Sequence, residues 1–526
     1  MRKKALLVIG AMLVLFSVLS GCSDDTTSND GDSKVLRMQL GADPTTFDPA
    51  HNGDFLTSAL LRQMFDGLVR LDENSEPVES VASNIEVSDD KLTYTFTLRE
   101  SEWSNGDPVT AHDFAYAWLR ILNPDTGSSN ADIFFLIKNA EAYYEGTGTV
   151  EEVGIKAVDD QTLEVTLEYP APYFLELLTG SHYMPVNQKV VEGNDKWAND
   201  PSTLVSNGPF VLSSYKIKDE VVLEKNDKYW EKDVVNIDKV EYVLIEDNNT
   251  ALDMFNTGKL DWVGAPVGSL PGDALKTLKD EGKLNSKPSA HASAIVYHMD
   301  MEPFTNTKIR QAFSYAINRQ DLTEHVLQGG QKPALGLVPA TMLLNPDGYF
   351  TDHNVEEAKK LLKEGMKELG ISELPPITYL YISSENGHKI AQAVQAQLKE
   401  GLGVDIILES LEAKVFFDVQ FADEKSHQFS FAGWTADYND PIDFLQSYLV
   451  DDWESVAYDD LLKQAKVEPD PAKRDEFLFQ AEKLMMDEMA LIPLYSGANN
   501  WIHSEKVKGI YVTSISHYEL KWADIE

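Results

Sequence analysis

The stretch FSFAGWTADYNDPIDFL, from Phe429 to Leu445, combines apolar and aromatic residues with aspartates at positions 437, 440 and 443. A carboxylate near a buried region is unfavourable unless a cation or hydrogen-bond donors compensate it. The first residues alternate as a β-strand does. Asp440 followed by proline is typical of a helix start, as N-cap and first helical residue. Asp443 then falls in the first helical turn, where the helix dipole favours a negative charge.

Asp437 has neither structural explanation. It precedes the predicted cap, lies between Trp434 and Tyr438, and no lysine or arginine occurs between Lys425 and Lys463. Two interpretations are open, namely an ion pair with a residue distant in sequence, or a cation that arrives with a ligand.

The N-terminus, MRKKALLVIGAMLVLFSVLSGC, has three basic residues, an apolar run from Ala5 to Leu19, and Cys22. That run is short for a membrane span and typical of a signal peptide. Residues 1–21 are therefore predicted to be a lipoprotein signal peptide, with Cys22 as the lipidated residue. Residues 22–33 are predicted to be a flexible tether, because residues 23–33 contain no apolar side chain. A buried cysteine is the alternative for Cys22, the only cysteine in the chain.

The composition limits the possible partners. The 526 residues carry a formal net charge of −41, which excludes nucleic acid and anionic lipid as partners of the globular part. The acidic surface is either the ordinary solvated surface of a secreted protein or an adaptation to an alkaline or saline exterior. A chain of this length predicts two or more lobes rather than one core.

Strand-like and helix-like patterns alternate along the chain, which predicts an α/β fold. Capped helix starts are predicted at Thr110, at Asn354 and at Asp470-Pro471. Strands are predicted at residues 92–98, 162–168, 220–225, 239–245, 377–382 and 404–409.

Short catalytic and metal-binding signatures are missing from the sequence. It has no G-x-S-x-G, H-E-x-x-H or C-x-x-C motif, and its eleven histidines are scattered. We therefore expect a binding protein without cofactor or metal rather than an enzyme. A secreted hydrolase is the remote alternative, since a glycosidase needs only two carboxylates.

The chain resembles the oligopeptide-binding lipoproteins of bacterial ABC importers, which form extracellular solute-binding protein family 5. The resemblance covers nearly all of the mature chain and rests on several blocks in the same order. They are GADPTTFDP at 41–49, WSNGDPVTAHDF at 103–114, NGPF at 207–210, MFNTGKLD at 254–261, PFTN at 303–306, AINR at 316–319, GWTADYNDP at 433–441, IPLY at 492–495 and VKGI at 507–510.

The resemblance implies an α/β fold of two lobes that close on a ligand about a hinge, with an additional α/β subdomain. Lobe I would be discontinuous, comprising residues 34–78, 205–290 and 491–526. The subdomain would span residues 79–204, and lobe II residues 291–490.

The resemblance also implies a site. In relatives that bind peptides, an extended peptide pairs with backbone on both sides, and a carboxylate meets its α-ammonium group. That carboxylate corresponds to Asp437, and the pairing segments correspond to Gly433-Trp434-Thr435 and Ala42-Asp43. The further ligand-binding residues expected from the resemblance are Tyr297, His388, Tyr438 and Tyr495.

Each of these positions also has a structural interpretation. Trp434, Tyr438, Tyr297 and Tyr495 can be packing residues. His388 can start a helix, and Asp43 can cap a turn. Two places where relatives bind the peptide's carboxylate carry Phe431 and Ser314, so the anchor for that end is not predicted.

The function predicted from these observations is capture of oligopeptides and their delivery to the permease and ATPase subunits of an ABC importer. The runner-up is the same fold binding an oligosaccharide or a metal chelate. We expect a monomer tethered through Cys22 to the outer face of the cell membrane, in a Gram-positive bacterium.

Overall fold

A mixed sheet of eleven strands runs through the computed structural model of the protein, which describes residues 33–198, 200–422, 425–447, 449 and 453–526. The predicted signal peptide and Cys22 lie outside these residues, as does the predicted tether up to residue 32. Within the described part of the chain, none of the helices has the length and apolar character needed to cross a bilayer.

The strands are β1 Val35–Leu40, β2 Val69–Leu71, β3 Pro77–Glu79, β4 Ala82–Val87, β5 Thr93–Leu98, β6 Ile155–Asp159, β7 Thr162–Thr166, β8 Phe210–Lys216, β9 Glu220–Lys225, β10 Lys239–Leu244, β11 Trp262–Gly264, β12 Asn285–Tyr297, β13 Lys332–Pro333, β14 Thr378–Ile382, β15 Ile407–Leu411, β16 Phe429–Thr435, β17 Leu491–His503, β18 Val507–Lys508, β19 Tyr511–Val512, β20 Tyr518–Glu519 and β21 Asp524–Ile525.

The α-helices are α1 Phe55–Met64, α2 Ala111–Leu122, α3 Ala140–Tyr144, α4 Phe174–Leu177, α5 Gln188–Val191, α6 Asn248–Asn256, α7 Leu275–Asp280, α8 Thr307–Ala316, α9 Arg319–Asp321, α10 Val355–Leu369, α11 Glu385–Leu402, α12 Ala413–Gln420, α13 Pro441–Leu445, α14 Val456–Val467 and α15 Pro471–Asp487. A π-helical segment, Leu322–Leu327, follows α9.

Two long strands connect the halves of the main sheet. Its order is β15-β14-β16-β12-β17-β11-β1-β10-β9-β8, with β13 also paired to β17. β12 and β17 have 13 residues each and pair antiparallel, with register shifts between Pro288 and Ala292 and between Ser293 and Ala294. They join strands of the predicted lobe I to strands of the predicted lobe II within one sheet.

The predicted strands are confirmed, with shifts of up to three residues at their ends. The prediction at 220–225 coincides with β9, whereas the one at 404–409 is realised as Ile407–Leu411. The segment before Asp437 forms β16, which pairs antiparallel with β12 along its whole length and with β14 at Phe429 and Ser430.

The predicted helix starts are confirmed by their caps. Thr110 and Asp113 form a capping box at α2, and the Asn354 side chain accepts from the backbone N–H of Glu357 at α10. Asp470 caps α15, which ends at Asp487, two residues before the predicted end. These outcomes follow from local hydrogen bonds that the sequence specifies.

A separate four-stranded sheet, β4-β5-β7-β6, lies within residues 79–204, where the additional subdomain is predicted. Buried apolar residues form three clusters. One contains the aromatic side chains of Tyr297, Phe304, Phe313, Tyr379 and Phe429 beneath β12, β14 and β16. The lobe boundaries themselves stay a prediction.

Candidate functional site

Asp440 is structural, as the sequence indicates, and it also has a cation. Its carboxylate accepts from the backbone N–H of Ile442 at the start of α13. It also accepts two hydrogen bonds of 2.8 and 2.9 Å from the guanidinium of Arg474 on α15. Both side chains are at least 90% buried. This two-point ion pair satisfies the charge of Asp440 completely within the protein.

Asp443 is the third residue of α13, as predicted, and it also organises the residues around Asp437. One of its oxygens, Oδ2, accepts from the indole Nε1 of Trp434 at 2.8 Å and from the backbone N–H of Asp437 at 3.1 Å. The end of β16 is thereby tied to the start of α13. Asp443 is only 7% exposed.

Asp437 has no ion pair with any lysine, arginine or histidine of the described residues. Its side chain stays in contact with solvent and borders two cavities of about 190 and 560 Å³. Asp437 is an exposed residue, but partial desolvation by the surrounding protein, together with the nearby charge of Asp132, raises its pKa to about 6. Asp437 is therefore an acid without a cationic partner at a cavity wall.

Asp437 and Asp443 titrate as a pair. Burial first, and the charge of Asp437 second, raise the pKa of Asp443 well above the usual range of an aspartic acid. Two neighbouring carboxylates resist being ionised together, and ionisation is less favourable for the more buried one. Asp443 is the more buried of the two, so its ionisation is disfavoured more strongly than that of Asp437.

The larger cavity is lined by residues of the predicted subdomain and of predicted lobe II. Tyr173 and Asp132 come from the predicted subdomain, whereas Trp434, Tyr438 and Lys466 come from predicted lobe II. Tyr438 stacks on Tyr173 with ring centroids 5.1 Å apart. Burial lowers the pKa of Lys466. The cavity thus combines aromatic walls with acidic groups and one lysine.

The smaller cavity shares Ile133, Leu177 and Asp437 with the larger one. Thr435, Ala436 and Asp437 line it from β16 and the residues that follow. Its opposite walls come from residues 52–62, 130–133, 177–183 and 517. Thr435 is held by His291, whose two ring nitrogens lie 2.8 Å from Thr435 Oγ1 and 3.0 Å from Ser293 Oγ. Burial lowers the pKa of His291 to about 4, so this ring is neutral.

The structure brings together one part of the predicted site. Trp434, Thr435, Asp437 and Tyr438 all line one or both cavities. Gly433 lies in β16 opposite Ser293 of β12. A Cβ at Gly433 would come within 3.1 Å of the His291 ring, which explains the absence of a side chain there.

Five other predicted residues line neither of these cavities. Asp43, which follows Ala42 after β1, accepts from the backbone N–H of Lys218 at 2.9 Å and thus caps a turn. Tyr297 is 1% exposed and donates to the Arg310 carbonyl oxygen at 2.9 Å. His388 lies in the first turn of α11, and its Nδ1 atom is 3.0 Å from the Tyr381 hydroxyl. Tyr495 lies on β17, in the apolar cluster that contains Tyr297.

Tyr297, His388 and Tyr495 make contacts typical of packing or helix residues, and Asp43 binds the turn between β8 and β9. A role of these residues in ligand binding stays a prediction. Ser314 is completely buried and accepts from Arg319 Nη2 at 2.8 Å, so it faces the core. No group of three or more His, Cys, Asp or Glu side chains among the described residues is arranged to hold a metal ion.

Sequence reasoning missed several residues of the cavity walls, namely Arg62, Asp132, Tyr173, Lys466 and His517. Only Arg62 carried a signal, as a charged residue inside the apolar helix FLTSALLRQM. The others occur in segments whose composition does not distinguish them from ordinary surface or packing residues.

Comparisons with known proteins agree with this architecture. The model of the bacterial extracellular solute-binding proteins, family 5, matches residues 76–455. The oligopeptide-binding protein OppA of Bacillus subtilis is 40% identical, with 97% of each chain covered.

Two solved structures share the two-lobe α/β fold. An oligopeptide-binding protein of Borrelia burgdorferi has 30% identity and a TM-score of 0.82, and the match covers 94% of this chain and 100% of that one. Listeria monocytogenes OppA, solved bound to peptide, has 31% identity and a TM-score of 0.77, and covers 94% and 99%. The chain therefore belongs to the bacterial extracellular solute-binding proteins of family 5.

Proposed function

We propose that this protein is a receptor that captures oligopeptides in a cleft between two lobes and delivers them to an ABC importer. The family consists of solute-binding receptors, and the relatives just described are named as oligopeptide-binding proteins. The receptor performs no chemistry, and the energy for transport comes from ATP hydrolysis by partner subunits.

The observation that carries this proposal is the ionised carboxylate of Asp437 at the wall of two cavities, without a cation of the described protein beside it. The α-ammonium group of a peptide supplies that cation. A charge-assisted hydrogen bond of this type contributes about 1.5–3 kcal/mol. Without ligand, solvent in the cavities compensates the charge.

The rest of the peptide is recognised through its backbone. β16 ends at Thr435, beside Asp437, and presents the extended segment Gly433–Thr435 next to the cavities. Backbone hydrogen bonds suit a receptor for many peptides, because every peptide offers the same pattern of N–H and C=O groups. Aromatic rings such as Trp434 and Tyr173 add contact area that is not specific for one side chain.

Residues of both predicted lobes line the cavities, so a bound peptide contacts both. A ligand that bridges two lobes favours the closed arrangement over the open one by its additional contacts. The closed form is the state that the importer recognises in this proposal.

A lipid on Cys22 tethers the receptor to the outer face of the cell membrane of a Gram-positive bacterium. This is supported by the sequence of residues 1–33, in which a signal peptide, a cysteine and a polar tether follow one another. The receptor acts as a monomer.

Isothermal titration calorimetry with trialanine and its N-acetylated form tests the proposal. Trialanine should bind, and acetylation should weaken binding at least about tenfold because it removes the positive charge. Asp437→Asn should weaken the binding of trialanine by a comparable factor and should leave the binding of the acetylated peptide unchanged. Glu141→Gln, which removes one negative charge from the larger cavity wall, serves as the matched control and should keep most of the affinity.

Tight binding of the acetylated peptide, or full affinity in Asp437→Asn, would contradict the role of Asp437. Mass spectrometry of small molecules that co-purify with the protein tests the substrate class. An oligosaccharide or a metal chelate in place of peptides would overturn the proposal that the ligand is a peptide.

A further inference from the structure

The smaller cavity contains an arginine without an acceptor. Arg62 on α1 is 4% exposed, and its Nε and Nη2 atoms are buried without a hydrogen-bond partner. No hydrogen bond or ion pair within the described part of the chain involves Arg62. Asp437 lies on another wall of the same cavity. A buried guanidinium without an acceptor is unfavourable and indicates a missing partner.

The buried acids of this region do not hydrogen-bond to Arg62. Asp66 accepts from Arg70 at 3.0 Å and from Tyr229 and Trp230 at 2.9 and 3.0 Å. Glu519 lies 3.6 Å from Arg70 Nη1, and its Oε2 atom is buried without a hydrogen bond, so its charge acts on Arg62 only through space. Burial lowers the pKa of Arg62 to about 10, while Glu519 acts in the opposite direction. Arg62 therefore remains positively charged at neutral pH.

Three polar side chains of the cavity wall do not hydrogen-bond to Arg62 either. Asp54 accepts from the backbone N–H of Thr57 at 2.7 Å and from the Thr45 hydroxyl at 2.6 Å. Asn52 donates to the hydroxyl oxygens of Ser58 and Ser181 at 2.6 and 3.0 Å. His517 is neutral, because burial and the charge of Arg62 lower its pKa well below the usual value. Its Nδ1 atom is also buried without a partner. The unsatisfied groups on these walls are thus a cation and a neutral imidazole, which together suit an anion.

The volume of this cavity limits what can enter. About 190 Å³ is less than the space that ligand sites for whole small molecules occupy, and it is enough for one side chain and some water. A peptide whose α-ammonium group is at Asp437 begins at the edge of this cavity. Its first side chain is attached to the carbon that bears the ammonium group, so that side chain is the nearest candidate to enter.

We infer that the Arg62 cavity is a subsite for an acidic side chain, the carboxylate of a glutamate or aspartate at the first position of the peptide. This inference rests on the proposed function and adds a preference to it. An acidic first residue would place its ammonium group at Asp437 and its carboxylate at Arg62. The cavity thus matches the two charges of such a residue with two opposite charges of the protein.

The test is calorimetry at neutral pH with Glu-Ala-Ala, Gln-Ala-Ala and Ala-Ala-Ala. The wild-type protein should bind Glu-Ala-Ala about tenfold more tightly than Gln-Ala-Ala, which has the same shape without the charge. Arg62→Gln should reduce this ratio to about one and leave Ala-Ala-Ala within about threefold of wild type. Arg37→Gln, which changes the charge equally at a half-buried position on β1 that does not line this cavity, should keep the preference.

Equal affinity of the wild type for the Glu and Gln peptides would overturn the inference, while binding of Ala-Ala-Ala would still support the proposed function. A uniform loss for all three peptides in Arg62→Gln would also overturn it, because Arg62 would then have a structural role. If Arg62→Gln does not fold, two other measurements test the inference. They are the wild-type affinities for the Glu and Gln peptides and the affinities of Arg62→Lys, which conserves the charge and should keep the preference for the Glu peptide. If none of the peptides binds the wild type, the proposed function and this inference are both wrong.

Discussion

Asp437 and Asp443 show how two similar side chains acquire different roles within six residues. Asp443 is buried and accepts from the Trp434 indole and from the backbone of Asp437. Asp437 remains in contact with two cavities. Burial disfavours a negative charge on Asp443 more strongly than on Asp437, which is the residue that a ligand can reach. The hydrogen bonds of Asp443 also fix the backbone at Asp437, so its carboxylate is positioned before a ligand arrives.

Peptide affinity should depend on pH at both ends of the neutral range. Because the pKa of Asp437 is raised to about 6, the carboxylate binds a proton below that pH, and a peptide must displace it. Above about pH 8 the peptide's own ammonium group loses its proton. Calorimetry with trialanine from pH 4.5 to 9 should give the highest affinity between about pH 6 and pH 8. An affinity that does not fall at low pH would contradict the role of the Asp437 carboxylate.

Asp132→Asn should move the acidic limb of this profile. The charge of Asp132 is one cause of the raised pKa of Asp437, so its removal lowers that pKa. Asp437 then stays ionised to lower pH, and affinity begins to fall at a lower pH than in wild type. Glu141→Gln is the control, because Glu141 lines the larger cavity and is not among the causes of that shift. If the affinity of Asp132→Asn falls at the same acidic pH as that of wild type, Asp132 does not influence the pKa of Asp437.

At the scale of elements, the Asp440–Arg474 ion pair joins α13 to α15 beside the site. Arg474 lies 5.4 Å from the centre of the Tyr173 ring, and Tyr438 stacks on that ring. The pair therefore contacts the predicted subdomain as well as two helices of predicted lobe II. Its position holds the helix start that carries Asp443.

Arg474→Met should destabilise the protein strongly. Removal of one partner of a buried ion pair leaves the other charge uncompensated, which costs about 3–5 kcal/mol of unfolding free energy. Urea unfolding followed by circular dichroism measures the loss. Lys473→Met, a neighbouring exposed position on α15, should change stability little. The double variant Arg474→Met with Asp440→Asn should regain part of the loss, and an Arg474→Met protein as stable as wild type would refute the assignment.

At the scale of the whole molecule, β12 and β17 make one sheet out of strands from both predicted lobes. The register shifts in their ladder lie at residues 288–294, close to the strand that leads to Asp437. The cavities are lined by segments on both sides of this connection. A peptide held there stabilises contacts between segments that are distant in sequence.

Peptide binding should therefore stabilise the whole fold. At a trialanine concentration about 100 times the dissociation constant, the unfolding free energy should rise by ~2.7 kcal/mol. Differential scanning calorimetry should record a higher melting temperature for wild type. Asp437→Asn at the same peptide concentration should lose most of this shift. A full shift in the variant would mean that the peptide is held without this carboxylate.

The strands, the helix starts and the class of the fold could be predicted from the sequence, because they depend on neighbouring residues. The capping box of Thr110 and Asp113, the Asp440-Pro441 start and the alternation of β16 act over a few positions. The resemblance supplied the family and the importance of Asp437. It also suggested Tyr297 and Asp43, whose contacts in the structure are those of a packing residue and a turn cap.

Tertiary structure decided which charges meet. Asp66 has an arginine four positions away on each side, and the structure pairs it with Arg70, because α1 ends at Met64. Asp440 finds its cation 34 residues further along the chain. That Arg62 and Asp437 line the same cavity could not be predicted from their neighbours in sequence. Helix caps and strand periodicity are local and can be predicted from the sequence alone, whereas ion pairs and cavities depend on which distant segments pack together.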